Sequence, residues 1–345
     1  MLLSEQIGKS WSGKRKPTAM SENVNTTMNG TQPSSCFNPT AERIGMTFAY
    51  CLIFIVSLTG NTIIGIIVYK TKTMRKPINF FIVNMAVSDL LAPIIWIPRG
   101  MQELYIDSWL IDGPFGQASC KLVSFFKDVS VLVSIQSLVL IAVDRFGAVV
   151  FPLRSPLIGS KLCPFFVLAS WIVAIAVNSP KLSVYKLVEY PEKVVCKRRW
   201  NEVFGEPSSG ENYLLSFIVV FMFIPLVLIA VLYIIIYLKL KSQKIPGEQL
   251  ANAGQQRHQR ELNVLKMAVA IVLGFAICWL PLATWIIFVM FTNTVIWPNC
   301  PIFRFIVNIM ALVNCAINPC ICFIFCRNYR RELKALLNYF YARRS

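Results

Sequence analysis

Long runs of apolar residues recur along the chain, and each is close to the length that crosses a membrane. A helix of about 20 apolar residues spans the hydrocarbon core of a bilayer and satisfies its own backbone hydrogen bonds there. The predicted spans are residues 44–69, 77–98, 121–148, 162–180, 212–238, 267–291 and 305–326. The pattern therefore predicts an all-α membrane protein, a seven-transmembrane helix bundle.

Composition agrees with that prediction and excludes an ordinary soluble protein. Of 345 residues, 56% are hydrophobic and only 15% are charged, whereas about a quarter of the residues in a soluble domain are charged. The net charge of +17 would suit nucleic acid, an anionic membrane or an acidic ligand. The position of the basic residues decides among these, and we expect no nucleic-acid partner.

The basic residues are distributed unevenly between the two sides of the predicted bundle. If the N-terminus is outside, the connections on the inner side carry a net charge of +14 and those on the outer side +3. Loops rich in Lys and Arg stay in the cytoplasm. We therefore expect a multi-pass plasma membrane protein with an extracellular N-terminus.

Three regions follow from this topology. Residues 1–43 form an extracellular tail with glycosylation sequons at Asn25 and Asn29, residues 44–326 form the transmembrane domain, and residues 327–345 form a short cytoplasmic end. In the last region Leu and aromatic residues alternate with Arg and Lys as in an amphipathic helix on the inner leaflet. We expect this segment to be a short eighth helix that contacts membrane lipids.

Four cysteines fall on the predicted outer side, where disulfides form: Cys36, Cys120, Cys196 and Cys300. Four cysteines allow three pairings, and their spacing does not choose among them. The chain contains one histidine, His258, and no CxxC motif beside it, which argues against a zinc site.

Polar residues inside the spans are candidates for function because they are costly in a membrane. Asp89 lies in the middle of the second span, and Ser134, Asn314 and Asn318 lie within other spans. Together they offer a small oxygen-rich cage for a cation. The alternative is a protonated structural aspartate in a hydrogen-bond network.

One motif in each span carries a resemblance to a known family. The motifs are Gly60-Asn61, the segment NMAVSDLL at 84–91, Asp144-Arg145-Phe146, Trp171, Pro225 with Tyr233, Cys278-Trp279-Leu280-Pro281, and Asn318-Pro319. Taken in this order, they resemble the rhodopsin-like G-protein-coupled receptors over residues 44–335. The resemblance implies a receptor that binds an extracellular ligand and activates heterotrimeric G proteins, with arrestin as a further partner.

The resemblance also implies roles for individual residues. Cys120 and Cys196 match the family's disulfide, which leaves Cys36 and Cys300 as a second pair. Asp89, Ser134, Asn314 and Asn318 match a sodium pocket, and we expect no other cofactor. The activation switch implied by the resemblance comprises Asp144, Arg145, Tyr233, Glu261, Phe275, Trp279, Pro281 and Cys322. Within it, Arg145 meets the G protein, Glu261 restrains Arg145 at rest, and Pro281 lets the sixth helix swing.

Two positions depart from the family pattern. Phe146 replaces the tyrosine that usually follows the arginine, which is a mild change. Cys322 stands where the family usually has the tyrosine of its NPxxY motif. The phenol that would reach by water towards Tyr233 is therefore missing, which is expected to weaken the active state.

Two residues that bind known ligands elsewhere in the family are absent from this chain, which argues against an amine or retinal ligand. Biogenic-amine receptors carry an aspartate where this chain has Lys127, and opsins carry a lysine where it has Leu312. The second outer loop is long, its residues 182–197 read as a short hairpin, and its charges of both signs suit a charged peptide. We expect a short neuropeptide ligand.

The resemblance implies a ligand-binding set of Gln102, Lys127, Asp128, Val131, Trp279 and Asn308. Lys127 is expected to face the cavity and bind an anionic group, or else to pair with an internal acid. The alternative ligand is an anionic small molecule or lipid. Outside the family, the alternatives are a channel or transporter and an intramembrane enzyme. The sequence shows neither the matched half-helices expected of a transporter nor the hydrolytic residues expected of an enzyme. We therefore expect no enzymatic activity.

Overall fold

The computed structural model describes residues 39–106, 108–152, 157–205, 209–242, 251–292 and 301–342. In this part of the chain, seven helices are long and apolar enough to cross a membrane. They are α1 (Pro39–Lys70), α2 (Pro77–Tyr105), α3 (Gly113–Val150), α4 (Cys163–Asn178, continued by Lys181–Val184), α5 (Ser209–Ile218, Val219–Phe223 and Ile224–Ser242), α6 (Ala251–Thr292) and α7 (Pro301–Phe325). The predicted seven-helix bundle is confirmed.

Most helices extend beyond the predicted spans. α3 begins at Gly113 rather than at residue 121, and α6 begins at Ala251 rather than at residue 267. Hydropathy detects only the apolar part of a helix, because the hydrogen-bonded backbone continues into the aqueous layers where polar residues are tolerated. The connection between the fifth and sixth predicted spans, residues 239–266, is therefore shorter than predicted, since both flanking helices extend into it.

Apolar side chains lie both between the helices and on the outer surface of the bundle. Phe81, Ile135, Ile141, Ile229 and Phe275 are at most 1% exposed and belong to one core between the helices. In α5, by contrast, large apolar residues such as Val227, Val231 and Ile234 point outward. An apolar outer surface is the arrangement expected of helices that face lipid tails.

Proline shapes α5, where one turn is π-helical. The turn Val219–Phe223 ends two residues before Pro225. Proline has no N–H to donate and its ring clashes with the carbonyl four residues earlier, so a widened turn there relieves the clash. α2, α6 and α7 also contain internal prolines, including Pro281 and Pro319.

Glycine allows α1 and α7 to meet closely. A Cβ atom on Gly60 would lie 2.7 Å from the Cβ and Cγ atoms of Pro319. One residue further, the Asn61 amide donates to the Cys315 carbonyl oxygen at 2.8 Å. The Gly60-Asn61 pair thus joins the two helices by a close approach and a hydrogen bond.

A two-stranded antiparallel hairpin covers the outer side of the chain between α4 and α5. β1 (Tyr185–Glu189) pairs with β2 (Val194–Arg198), with Leu187 opposite Cys196. A disulfide joins Cys196 to Cys120 in the second turn of α3. The predicted hairpin and this disulfide are confirmed, whereas Cys36 and Cys300 lie outside the described residues, as do Asn25 and Asn29.

An eighth helix, α8 (Arg327–Ala342), follows α7 directly. Its polar residue Glu332 accepts a hydrogen bond from Thr71, beyond the end of α1, at 3.1 Å. Its Tyr329 is fully buried and stacks edge-on against Phe323. The predicted short eighth helix is therefore anchored to the bundle by both faces of its first turns.

Candidate functional site

A buried carboxylate lies at the centre of a polar cluster between α2, α3 and α7. Asp89 is 1% exposed. Ser134 donates to its Oδ1 atom and Asn318 to its Oδ2 atom, both at 2.8 Å. Two neutral donors on a single carboxylate stabilise its charged form in a low-dielectric interior.

Further oxygen atoms near the bundle centre are not used in hydrogen bonds. The Oδ1 atoms of Asn314 and Asn318 are buried and have no hydrogen-bond partner among the described residues. Buried amide oxygens that lack donors are costly, and oxygen atoms are the ligands of hard cations. The residues predicted for the sodium pocket therefore have the chemistry that a small cation requires.

A second network ties the middle of α2 to α3 and α4. The Asn84 amide donates to Ser137 at 3.0 Å and to Ser170 at 3.2 Å. The Trp171 indole donates to the Asn84 oxygen at 2.9 Å. Asn84 and Trp171, two of the motif residues, thus meet in space although they lie 87 positions apart.

The inner end of α3 carries an ion pair between sequence neighbours. Arg145 Nη2 lies 2.5 Å from Asp144 Oδ2, and Asp144 is 7% exposed. Among the described residues, Glu261 of α6 forms no ion pair with Arg145. The restraint seen on Arg145 therefore comes from Asp144, and the restraining role of Glu261 stays a prediction.

Two comparisons with known proteins bear on these motifs. A family model described as 7 transmembrane receptor (rhodopsin family) matches residues 60–322. The chain is also 32% identical over 87% of its length to the QRFP-like peptide receptor of Branchiostoma floridae, of which it covers 79%. The chain belongs to the rhodopsin family of seven-transmembrane receptors. It is therefore a receptor and not an enzyme.

Other relatives of this receptor carry related names. It is 30% identical over 79% of its length to the RYamide receptor of Drosophila melanogaster, and 32% identical over 70% to the neuropeptide Y receptor type 2 of Homo sapiens. The chain spans 58% and 62% of these two proteins. None of these comparisons supports a channel, a transporter or a receptor for an anionic lipid.

Two of the predicted switch residues stack on each other in α6. The ring centroids of Phe275 and Trp279 lie 6.1 Å apart, and Trp279 is two residues before the internal Pro281. The Trp279 indole nitrogen is buried and has no partner among the described residues. These two rings therefore lie close to the point where Pro281 removes a backbone hydrogen bond from the helix. Among the described residues, no hydrogen bond fixes the position of the indole.

Tyr233 and Cys322 lie at the inner end of the same core. Cys322 is fully buried, and Tyr233 is 7% exposed with no hydrogen-bond partner for its hydroxyl among the described residues. The nearby phenol of Tyr329, one of the aromatic residues in the amphipathic pattern predicted for residues 327–345, donates to Asn79 Oδ1 at 3.2 Å. Burial raises the pKa of Tyr329 well above its usual range, so this phenol remains a donor.

The predicted ligand-binding residues lie on four helices, and several already have partners. The Gln102 amide donates to the Ser108 carbonyl oxygen at 2.6 Å. Asp128 forms an ion pair with Lys181, at the outer end of α4. Val131 is buried, Trp279 packs on Phe275, and Asn308 lies in α7. Their shared role in ligand binding stays a prediction.

Lys127 contacts an aromatic ring rather than an acid. Its Nζ atom lies 4.0 Å from the ring centroid of Trp96 in α2. The expected alternative, an ion pair between Lys127 and an internal acid, is not formed among the described residues, and the neighbouring Asp128 pairs with Lys181. The pairing of Asp128 with Lys181 was not predicted, because Lys181 lies 53 positions away in a predicted outer loop.

Proposed function

We propose that this receptor binds an extracellular peptide and activates heterotrimeric G proteins in response. The observation that supports the proposal best is the agreement among its relatives, whose names refer to a QRFP-like peptide, RYamide and neuropeptide Y. The outer hairpin adds physical support. Five residue pairs hold its strands together and a disulfide ties it to α3, so it offers a rigid extended surface to a peptide.

Signal transfer follows from the elements around Pro281. The α6 helix lacks one backbone hydrogen bond there, so its inner half can swing about the proline. We propose that ligand contact near Trp279 favours this movement and releases Arg145 from Asp144 towards the G protein. Arrestin is expected to use the same inner face, and lipids are expected to contact α8.

The receptor is proposed to lie in the plasma membrane with its N-terminus outside. The charge difference between the two sides supports this orientation. So does the disulfide between Cys120 and Cys196, because disulfides form in oxidising compartments. The division into a tail at 1–43, a transmembrane domain at 44–326 and a cytoplasmic end at 327–345 stays a prediction.

The test is a functional screen. Cells that express the receptor with a promiscuous G protein are exposed to a library of short neuropeptides, and intracellular calcium is measured. We expect at least one peptide to give a saturable response that Cys196→Ser abolishes at matched surface expression. Cys51→Ser, at an exposed free cysteine, should leave the response intact. A library that is inactive throughout would contradict the proposal.

We further propose that Asp89, Ser134, Asn314 and Asn318 hold a sodium ion. The two buried amide oxygens without partners support this proposal, as do the hydroxyl and amide that converge on Asp89. The ion would supply a positive charge that offsets the buried carboxylate. These residues would hold it only while α2, α3 and α7 keep their resting packing.

The sodium proposal predicts lower agonist affinity in sodium than in another salt. Affinity should be measured in sodium chloride and in choline chloride at equal ionic strength. Asp89→Asn should remove the difference, because a neutral amide no longer attracts the cation. An equal sodium response in the wild type and in Asp89→Asn would contradict the proposal.

A further inference from the structure

The continuation of α4 carries a lysine whose ammonium group is buried where three helices meet. Lys181 pairs with the carboxylate of Asp128 in α3. Its Nζ atom also lies 5.2 Å from the centroid of the Phe217 ring and 5.8 Å from that of Tyr213, both in α5. Aromatic faces attract an ammonium group, but a charge at such a site still requires an anion. One ammonium group therefore joins α3, α4 and α5.

Asp128 supplies the negative charge that Lys181 needs. Two other cations, Lys127 and Arg198, repel this ammonium group, and Lys127 is itself attracted by Glu103 of α2. The side chain of Lys181 is 8% exposed and that of Asp128 is 28% exposed. Loss of the carboxylate would therefore leave a buried ammonium group among cations, whereas loss of the ammonium group would leave a carboxylate that water still reaches.

Lys181 lies at the junction between α4 and the outer hairpin. The turn Lys181–Val184 continues directly into β1, and the N–H of Tyr185 donates to the Lys181 carbonyl oxygen. The Val184 carbonyl oxygen accepts a hydrogen bond from the N–H of Arg199 at 2.7 Å. This bond closes the base of the hairpin. A shift of Lys181 would therefore move the point at which the hairpin begins.

The rings around Lys181 connect α5 to the same junction. The Tyr213 hydroxyl donates to the Val177 carbonyl oxygen of α4 at 2.9 Å. Its ring lies 4.8 Å from that of Trp200, which follows β2. A Cβ atom on Gly210, in the first turn of α5, would lie 2.7 Å from the Trp200 ring. The outer end of α5 is thus packed against both α4 and the end of the hairpin.

We propose that the Asp128–Lys181 pair positions the hairpin and the outer end of α5 for ligand binding, and that Asp128 acts through Lys181 rather than by contact with the ligand. This role differs from the ligand contact that the resemblance implies for Asp128. Its effect on potency rests on the proposed peptide function, because a surface that is held in place before binding spares the cost of ordering it.

Three variants separate a positioning pair from a ligand contact. The most active peptide of the library is tested at matched surface expression, with calcium release as the readout. We expect Asp128→Asn to lower its potency at least about tenfold. Lys181→Met should lower it less, since methionine keeps the contact with the two rings. The double variant Asp128→Asn, Lys181→Met should return to within about threefold of the wild type, because it removes both charges.

An exposed ion pair of the hairpin provides the control. Lys186→Gln breaks the pair with Glu202 and should leave potency unchanged, since exposed pairs contribute little. A loss in Asp128→Asn that persists undiminished in the double variant would overturn the positioning role and favour direct ligand contact. If Asp128→Asn does not reach the cell surface, recovery of surface expression in the double variant supports the pair, and failure of both overturns it.

Hydrogen exchange tests the positioning without a ligand. Mass spectrometry of the detergent-solubilised receptor compares the amides of the hairpin, residues 185–198, with those of α8. In Asp128→Asn the hairpin should exchange faster while α8 is unchanged, and the double variant should restore slow exchange. An unchanged hairpin would overturn the proposal. The expected exchange pattern together with a wholly inactive library would count against the peptide function alone.

Discussion

Two tyrosine hydroxyls at the inner end of the bundle differ in their hydrogen bonding. Tyr329 donates to Asn79, whereas the Tyr233 hydroxyl has no partner among the described residues. Both rings are buried in the same core. A buried hydrogen bond contributes about 1 kcal/mol net, and an unsatisfied buried hydroxyl contributes nothing in return for its desolvation. The two side chains should therefore respond differently to the same substitution.

This difference predicts the effect of a pair of Tyr→Phe variants. Tyr329→Phe should lower the stability of the ligand-free receptor by about 1 kcal/mol, because the Asn79 oxygen loses its donor. Tyr233→Phe should change that stability by less than about 0.5 kcal/mol. Thermal denaturation of the detergent-solubilised receptor measures both. Equal losses in the two variants would contradict the prediction.

The same core surrounds Cys322, which stands where the family usually has the tyrosine of its NPxxY motif. Cys322 is fully buried in the core that contains Tyr233 and Tyr329. A phenol at position 322 would have to displace close-packed neighbours, and overpacking of this kind costs about 1–3 kcal/mol. The core at this end of the bundle is therefore built around a thiol and the phenol of α8.

At the scale of elements, α1 is held to α7 by a contact that only glycine permits. The approach of Gly60 to Pro319 leaves no room for a methyl group, whereas a Cβ on Gly65, in the same helix, would meet no atom within 4 Å. The two glycines thus share a helix and differ in packing. They form a matched pair for substitution.

We expect Gly60→Ala to destabilise the receptor by about 1–3 kcal/mol, because the new methyl group must push the two helices apart. Gly65→Ala should be neutral, or should stabilise by up to about 1 kcal/mol through better helix propensity. Thermal denaturation at matched expression distinguishes the two. A loss at Gly65 as large as that at Gly60 would show that the contact with Pro319 does not explain the result.

At the scale of the whole molecule, the distribution of charge supports the proposed orientation. The connections on the predicted inner side carry +14 and those on the predicted outer side +3, and Lys and Arg near the ends of spans resist translocation. The end of α5 contributes Lys239 and Lys241 to the inner side, and α8 contributes a cluster of Arg and Lys residues. The anionic inner leaflet attracts such clusters.

This charge difference predicts which terminus an antibody can reach. An epitope tag at the N-terminus should be stained on intact cells, whereas a tag at the C-terminus should be stained only after permeabilisation. Flow cytometry on parallel samples gives the answer. Staining of the C-terminal tag on intact cells would contradict the proposed orientation.

The sequence by itself determined the features that depend on local composition. Seven spans, the outer hairpin and the amphipathic eighth helix were all predicted, because hydropathy, alternation and helical periodicity are properties of neighbouring residues. The disulfide between Cys120 and Cys196 came from the resemblance, since spacing alone left three pairings open. Helix ends were less well predicted, because helices continue beyond the apolar layer that hydropathy detects.

Tertiary structure alone decided which charged and polar groups meet. It paired Asp128 with Lys181 and set Lys127 against Trp96. It also placed Tyr329 of α8 in the core, where Asn79 accepts its hydrogen bond. Such choices depend on the rotation and close approach of helices that are distant in the chain. Local patterns contain no information on that geometry, because each polar group can be satisfied by any partner that packing brings within reach.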